Sequence, residues 1–148
     1  ARGPEVMAIL QAMNTGHDGT LFTVHADDAY RSLQRIEDLY LMAGLGNVPL
    51  LAIRRTIAHA VNLIVNIGVF QDGAGRQVRR VREVVYVTGA VEGEMIAFEP
   101  LFAWQAEPGR EPSAGRLAWT GAHPSGLIAR LESRVPGFSW RAAMRVTR

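Results

Sequence analysis

The sequence predicts an α/β fold: a mostly parallel sheet with flanking helices, followed by a β-hairpin and helix extension. Three observations carry this. Over residues 3–67 the apolar pattern runs in the order α-β-α-α-β, which suits a mostly parallel sheet covered by helices. After Asp72-Gly73 the pattern changes to apolar stretches punctuated by turn residues, the mark of strands joined by short connections. The 148 residues, 48% hydrophobic and 20% charged, are enough for one domain with a core but short for two.

Residues 3–14 read as a helix. Pro4 suits a first helical turn, Val6, Ile9, Leu10 and Met13 fall on one face, and Asn14-Thr15-Gly16 supplies a stop. Thr20 to His25, rich in branched and aromatic residues, reads as a short buried strand. Asp27 and Asp28 are candidate caps for a helix running to about Ala43, with Leu33, Ile36 and Tyr40 on one face. Asn47 and Pro49 start another helix, whose apolar side carries Leu50, Ile53, Ile57 and Val61, and Leu63 to Ile67 reads as a second buried strand. Beyond the Asp72-Gly73 turn, strands are expected at Val78 to Thr88, Met95 to Trp104 and Leu117 to Trp119. A turn at Gly89 to Gly93 and a Pro/Gly-rich polar loop at 105–116 separate them, and a helix from about Ser125 to Val135 follows. Two buried strands cannot complete a parallel sheet, so the chain reads as part of something larger with an open sheet edge.

Composition excludes several chemistries. The chain has no cysteine, which removes disulfides, thiolate nucleophiles and cysteine-based zinc sites. It has no lysine either, so it carries neither a Schiff-base lysine nor a phosphate-loop lysine. All sixteen basic residues are arginine; residues 1–75 carry a net charge of −2 and residues 76–148 one of +4. A basic second half can meet an acidic partner, lipid headgroups or nucleic acid, but such an imbalance more often reflects a solvated surface. No apolar run approaches the ~20 residues that cross a bilayer, and the N-terminus has no signal pattern, which sets a cytoplasmic location as the expectation.

The stretch richest in chemistry is Asn14 to Ala26. Alternation along a strand puts Leu21, Thr23 and His25 on one side and Phe22 and Val24 on the other. Thr23 and His25 would then lie at the C-terminal end of the strand, where open α/β sheets bind ligands, with His17 in the preceding loop. By composition alone a histidine at a strand end is more often a hydrogen-bonded structural residue than a catalytic one, and two histidines without a nearby third ligand make a weak metal case.

The literal string says more. Arg2-Gly3-Pro4-Glu5, Met7 to Gly19 and Leu21 to Ala26 closely resemble the type II/IV secretion ATPase family, and within it the Flp-pilus (tight adherence) assembly branch. The resemblance continues through Leu33 to Leu39 and Pro49 to Val65, and more loosely to the closing helix. It implies the C-terminal part of a RecA-like P-loop NTPase core in residues 1–70, with residues 71–148 a β-rich and helical extension of the same domain. It also implies that Arg2 is the arginine that follows the Walker B glutamate, and that Gly16 to His25 is the histidine box. Catalytic roles then fall to His25, Thr23 and Arg2, and nucleotide contacts to His17, Gly16 and Gly19. Thr20 stands where relatives commonly have serine, and Asp27 where they have asparagine. ATP and Mg2+ would be held mainly by residues upstream, so this chain alone is expected to be inactive. The intact protein is expected to be a cytoplasmic homo-hexamer, peripheral to the inner membrane and docked on a platform protein, without nucleic acid or membrane insertion.

Two rival readings are a non-catalytic oligomerisation or regulatory module and a nucleic-acid-binding domain built on Arg76, Arg79, Arg80 and Arg82. No aromatic residue interleaves those arginines, which argues for surface charge, as for Arg54-Arg55. Glu37, Asp38 and Arg35 are expected to pair along their own helix. Trp104, Trp119 and Trp140 are expected in a small satellite core, His59 at a helix end, and His123 in a turn without assigned role.

Overall fold

The structure, a computed structural model, describes residues 3, 5–16, 19–43 and 47–145. Its elements are α1 (Glu5–Asn14), α2 (Ala29–Met42), α3 (Leu50–Ala60), β1 (Leu63–Gln71), β2 (Gln77–Glu92), β3 (Met95–Ala106), β4 (Gly115–Trp119), α4 (Ser125–Arg134) and α5 (Trp140–Arg145). The strands form one sheet in the order β1-β2-β3-β4. Neighbouring strands joined by such short turns must run antiparallel, as the β3–β4 register from Phe102↔Trp119 to Ala106↔Gly115 shows. The mostly parallel sheet expected from the element order therefore does not form among the described residues. A parallel neighbour requires a crossover between paired strands, and among the described residues Thr20 to His25, the expected first strand, does not take up strand structure. The chain divides into two compact units, Ala1–Ile64 with Val87–Phe98, and Val65–Tyr86 with Glu99–Arg148.

The first unit is three helices packed on one another. In α1, Val6 and Leu10 are fully buried, and the helix ends where Thr15 N–H donates to the Gln11 and Ala12 carbonyls (3.0 and 3.2 Å). Helix α2 starts at Asp28, whose carboxylate accepts from the Arg31 N–H at 2.7 Å. That bond satisfies one of the donors a helix leaves free at its start. Leu33, Ile36, Leu39 and Tyr40 form its buried face. In α3, Ile53, Ile57, Ala58 and Ala60 are buried, but Leu50, expected on that face, is 39% exposed. Val87 and Ile96 close the core, and Phe22 and Val24 pack against it. Full burial of an Ile or Leu such as Leu10 or Ile57 stabilises by about 1.5–3 kcal/mol.

Glu37 pairs across to α3 rather than along its own helix. Arg54 donates to it from Nε (2.8 Å) and from a terminal nitrogen (3.2 Å), a two-pronged grip that a planar guanidinium makes on a carboxylate. These bonds hold the Arg54 guanidinium above its already high ordinary pKa. Sequence spacing alone favoured neighbours on one helix; packing of α2 on α3 brought a better partner 17 residues away.

In the second unit, a hairpin turn links β1 to β2. Asp72 accepts from the Ala74 and Arg76 backbone N–H groups (2.9 Å each) and from Arg76 Nε (2.9 Å), which draws its pKa below the ordinary carboxylate value. Gly75 takes φ +75°, a conformation glycine adopts without a Cβ penalty. The expected buried strand at Leu63 to Ile67 is therefore the start of an edge strand. Leu63, Val65, Ile67 and Val69 are 50–59% exposed, while Asn66 on the alternate side is buried. The run looked buried because every residue but Asn66 is apolar; only one of its faces has a covering layer.

Strand β2 runs through the expected turn at Gly89 and ends at Glu92, and Gly93-Glu94 makes the turn instead. Tyr86, Leu101, Leu127, Ile128 and Trp140 form this unit's core. Trp140 thus occupies the satellite core expected of it. Trp104 stacks at a tilt on Phe70 (5.5 Å) and donates to the Pro112 carbonyl (3.2 Å), while Trp119 donates to the Ala122 carbonyl (3.1 Å). No described helix is long and apolar enough to cross a membrane.

Candidate functional site

Three local features place residues 19–26. At the end of α1, the Thr15 hydroxyl donates back to the Ala12 carbonyl (3.1 Å), and Asn14 Nδ2 donates to the Thr56 carbonyl of α3 (3.2 Å). The chain then leaves the helix through Gly16 at φ +89°, and Gly19 takes φ +85°. Among the described residues nothing stands within 4 Å of where a side chain would begin at either glycine, and the positive φ by itself calls for glycine there. At the far end, Asp28 fixes the start of α2, and both Ser32 N–H and Ser32 Oγ donate to its carbonyl (2.9 and 2.8 Å).

Between these anchors the side chains alternate. Phe22 and Val24 are half-buried against the helical core, whereas Leu21, Thr23 and His25 are exposed. That alternation is the one the sequence predicts, but the strand itself is not formed: residues 20–26 lie in no ladder. Burial of one side by the helices sets the direction of each side chain, while a ladder needs a neighbouring backbone, which no described segment supplies here. Leu21 is 91% exposed, a large apolar residue beside two polar ones on the same side. The same alternation in the sequence put it there, with no role attached.

Of the six residues singled out as candidates, Thr23 and His25 come to one exposed side, and Gly16 and Gly19 lie in the turns leading to it. Arg2 and His17 lie outside the described residues. Chemically, the exposed side offers a hydroxyl and an imidazole, both able to donate to a phosphate oxygen. Among the described residues, no three His, Cys, Asp or Glu side chains gather as metal ligands.

Comparison with known proteins gives this geometry a context. The family model described as type II/IV secretion system protein matches residues 1–81, a stretch that contains all six candidates. Two putative conjugal transfer proteins of Mycobacterium tuberculosis, from strains CDC 1551 / Oshkosh and H37Rv, are each 34% identical over 116 residues. Each of these alignments covers 78% of this chain and 30% of the relative. Conjugal transfer protein TrbB of Rhizobium radiobacter is 36% identical over 88 residues, covering 60% of this chain and 24% of its own. The chain thus spans less than a third of the length of these curated relatives. With more than half of its residues matched by the family model, the chain belongs to the type II/IV secretion system protein family.

Proposed function

We propose that this chain is the C-terminal part of a RecA-like motor ATPase, whose complete form couples ATP hydrolysis to Flp-type pilus assembly or protein secretion. Residues 1–70 then belong to the ATPase core and residues 71–148 to an extension of the same domain. The observation that carries this reading is the exposed side of residues 21–25, whose backbone is anchored by Phe22 and Val24 and which presents Thr23 and His25 two positions apart. Phosphoryl transfer asks a protein mainly for positioning and for donors aimed at phosphate oxygens. His25 donates to the terminal phosphate or to the water beside it, and Thr23 orients that water. The left-handed backbone at Gly16 and Gly19 supports close approach of N–H groups to phosphate. Arg2 bridges to phosphate or to a neighbouring acid, and His17 contributes from the same loop.

These residues suit phosphate but not magnesium, which takes an octahedral shell of oxygens. Mg2+ and most contacts to ATP therefore belong to residues upstream, with the phosphate loop and the catalytic glutamate. The chain alone, which has no lysine, hydrolyses no ATP. The complete protein is a homo-hexamer on the cytoplasmic side of the inner membrane, docked on a platform protein and without nucleic acid in its site. The names of the relatives favour a second reading of the machine it serves: conjugal transfer in place of pilus assembly.

The test is His25→Ala in the complete protein. Turnover is expected to fall ~10²–10³-fold while nucleotide affinity stays within about twofold of the parent, about 0.4 kcal/mol. Near-normal hydrolysis by this variant would remove His25 from the active site.

A further inference from the structure

We infer that the second unit contains a binding site for a small organic anion with an aromatic or apolar body, formed where α5 meets the segment after β4. A cavity of about 380 Å³ lies there, lined among the described residues by Trp119, His123, Trp140, Arg141, Met144 and Arg145. Its volume falls within the range of small-molecule pockets, roughly 300–1,000 Å³. Its walls divide into two kinds of chemistry. Two indoles and a thioether offer flat and adaptable apolar surface. Two guanidinium groups and an imidazole offer donors and positive charge.

The charge on this helix and the aromatic wall beside it point to the kind of ligand. Arg141 and Arg145 are four residues apart on α5, so their charges share one face and repel each other, and no ion pair joins either to a described acid. A bound anion would relieve that repulsion, and guanidinium forks match a carboxylate in shape. The carboxylate that reaches this helix, Glu132, accepts from the Trp140 backbone N–H at 3.5 Å, at the helix start. Trp140 itself is only 5% exposed, and its buried indole N–H meets no acceptor among the described residues. That N–H is sealed inside the unit's core, so Trp140 meets the cavity with the apolar part of its ring. His123 stands edge-on to the Trp140 ring at 6.5 Å, which fixes the imidazole beside the apolar surface.

This site is independent of the nucleotide reading, because every lining residue falls outside the stretch matched by the family model. The experiment is titration of the 148-residue chain with three probes, followed by tryptophan fluorescence and by NMR. The probes are 3-phenylpropionate, its neutral amide, and acetate. Saturable binding is expected for 3-phenylpropionate alone, with shifts at Trp119 and Trp140. The Arg141→Gln/Arg145→Gln double variant, altered at two exposed positions, is expected to weaken that binding at least tenfold while its melting temperature stays unchanged. Equal binding of the amide would overturn the anion requirement, and equal binding of acetate would overturn the apolar one. Unchanged affinity in the double variant, or no saturable binding of 3-phenylpropionate, would remove the site.

Discussion

Residues 20–25 and residues 63–71 are built from the same kinds of side chain, yet only the second becomes a strand. Both are rich in branched and aromatic residues, and both alternate in burial along the chain. The difference lies in what the backbone meets. Directly after β1, the five-residue turn that begins at Asp72 brings β2 back alongside, and the ladder forms at once. Residues 20–25 have a covered side but form no strand among the described residues. Side-chain pattern sets which way residues face; a neighbouring backbone decides whether they form a sheet.

That contrast can be broken from either end. The largest effect is expected from Ile57→Ala, which opens a cavity in the helical core against which Phe22 and Val24 pack. It should destabilise the first unit by about 2–5 kcal/mol, read by chemical denaturation. Amide exchange should accelerate in residues 20–26 along with the helices. Exchange at 20–26 that stayed slow would mean that the segment is held by something other than this core.

A smaller effect is expected where the ladder itself is attacked. A Cβ on Gly115 would collide with the Gln105 carbonyl oxygen and stand 2.9 Å from Ala106 Cα, its partner across the β3–β4 ladder. Gly115→Ala should therefore cost about 1–3 kcal/mol in the second unit, followed through tryptophan fluorescence. Unchanged stability there would mean that the two strands separate without penalty.

The smallest effect should come from Leu21→Ser. At 91% exposure this side chain contributes little to the unit as it stands, so stability should stay within about 0.5 kcal/mol of the parent. A loss well above that would show that Leu21 is covered in solution.

Much of this was legible in the sequence, for a physical reason in each case. Helices α1 to α4 announce themselves by an apolar face at helical spacing, and α2 also by a capping aspartate. That Thr23 and His25 share a side follows from alternation alone; that this side is exposed, in a stretch expected to be a buried strand, follows from the packing of Phe22 and Val24 on the helices. Strand partners do not: Leu63 to Ile67 carries the pattern of a strand whether its neighbour runs parallel or antiparallel, and how deeply it is buried depends on layers elsewhere. Helix α5, six residues long, is too short to show a period. The cavity at Arg141 and Arg145 was hidden for the same reason, and the Glu37–Arg54 pair because it depends on how two helices pack. For the candidate site, the residue types and which of them share a side could be read from the sequence. Their relation to a nucleotide could not, because phosphate contacts come from several separate segments of a fold.

The most direct test is a structure of the complete protein with a non-hydrolysable ATP analogue. The account predicts the Thr23 hydroxyl and the His25 imidazole at about 3 Å from the terminal phosphate or from the single water beside it. Both side chains beyond the reach of one bridging water, or packed into an apolar core, would contradict it.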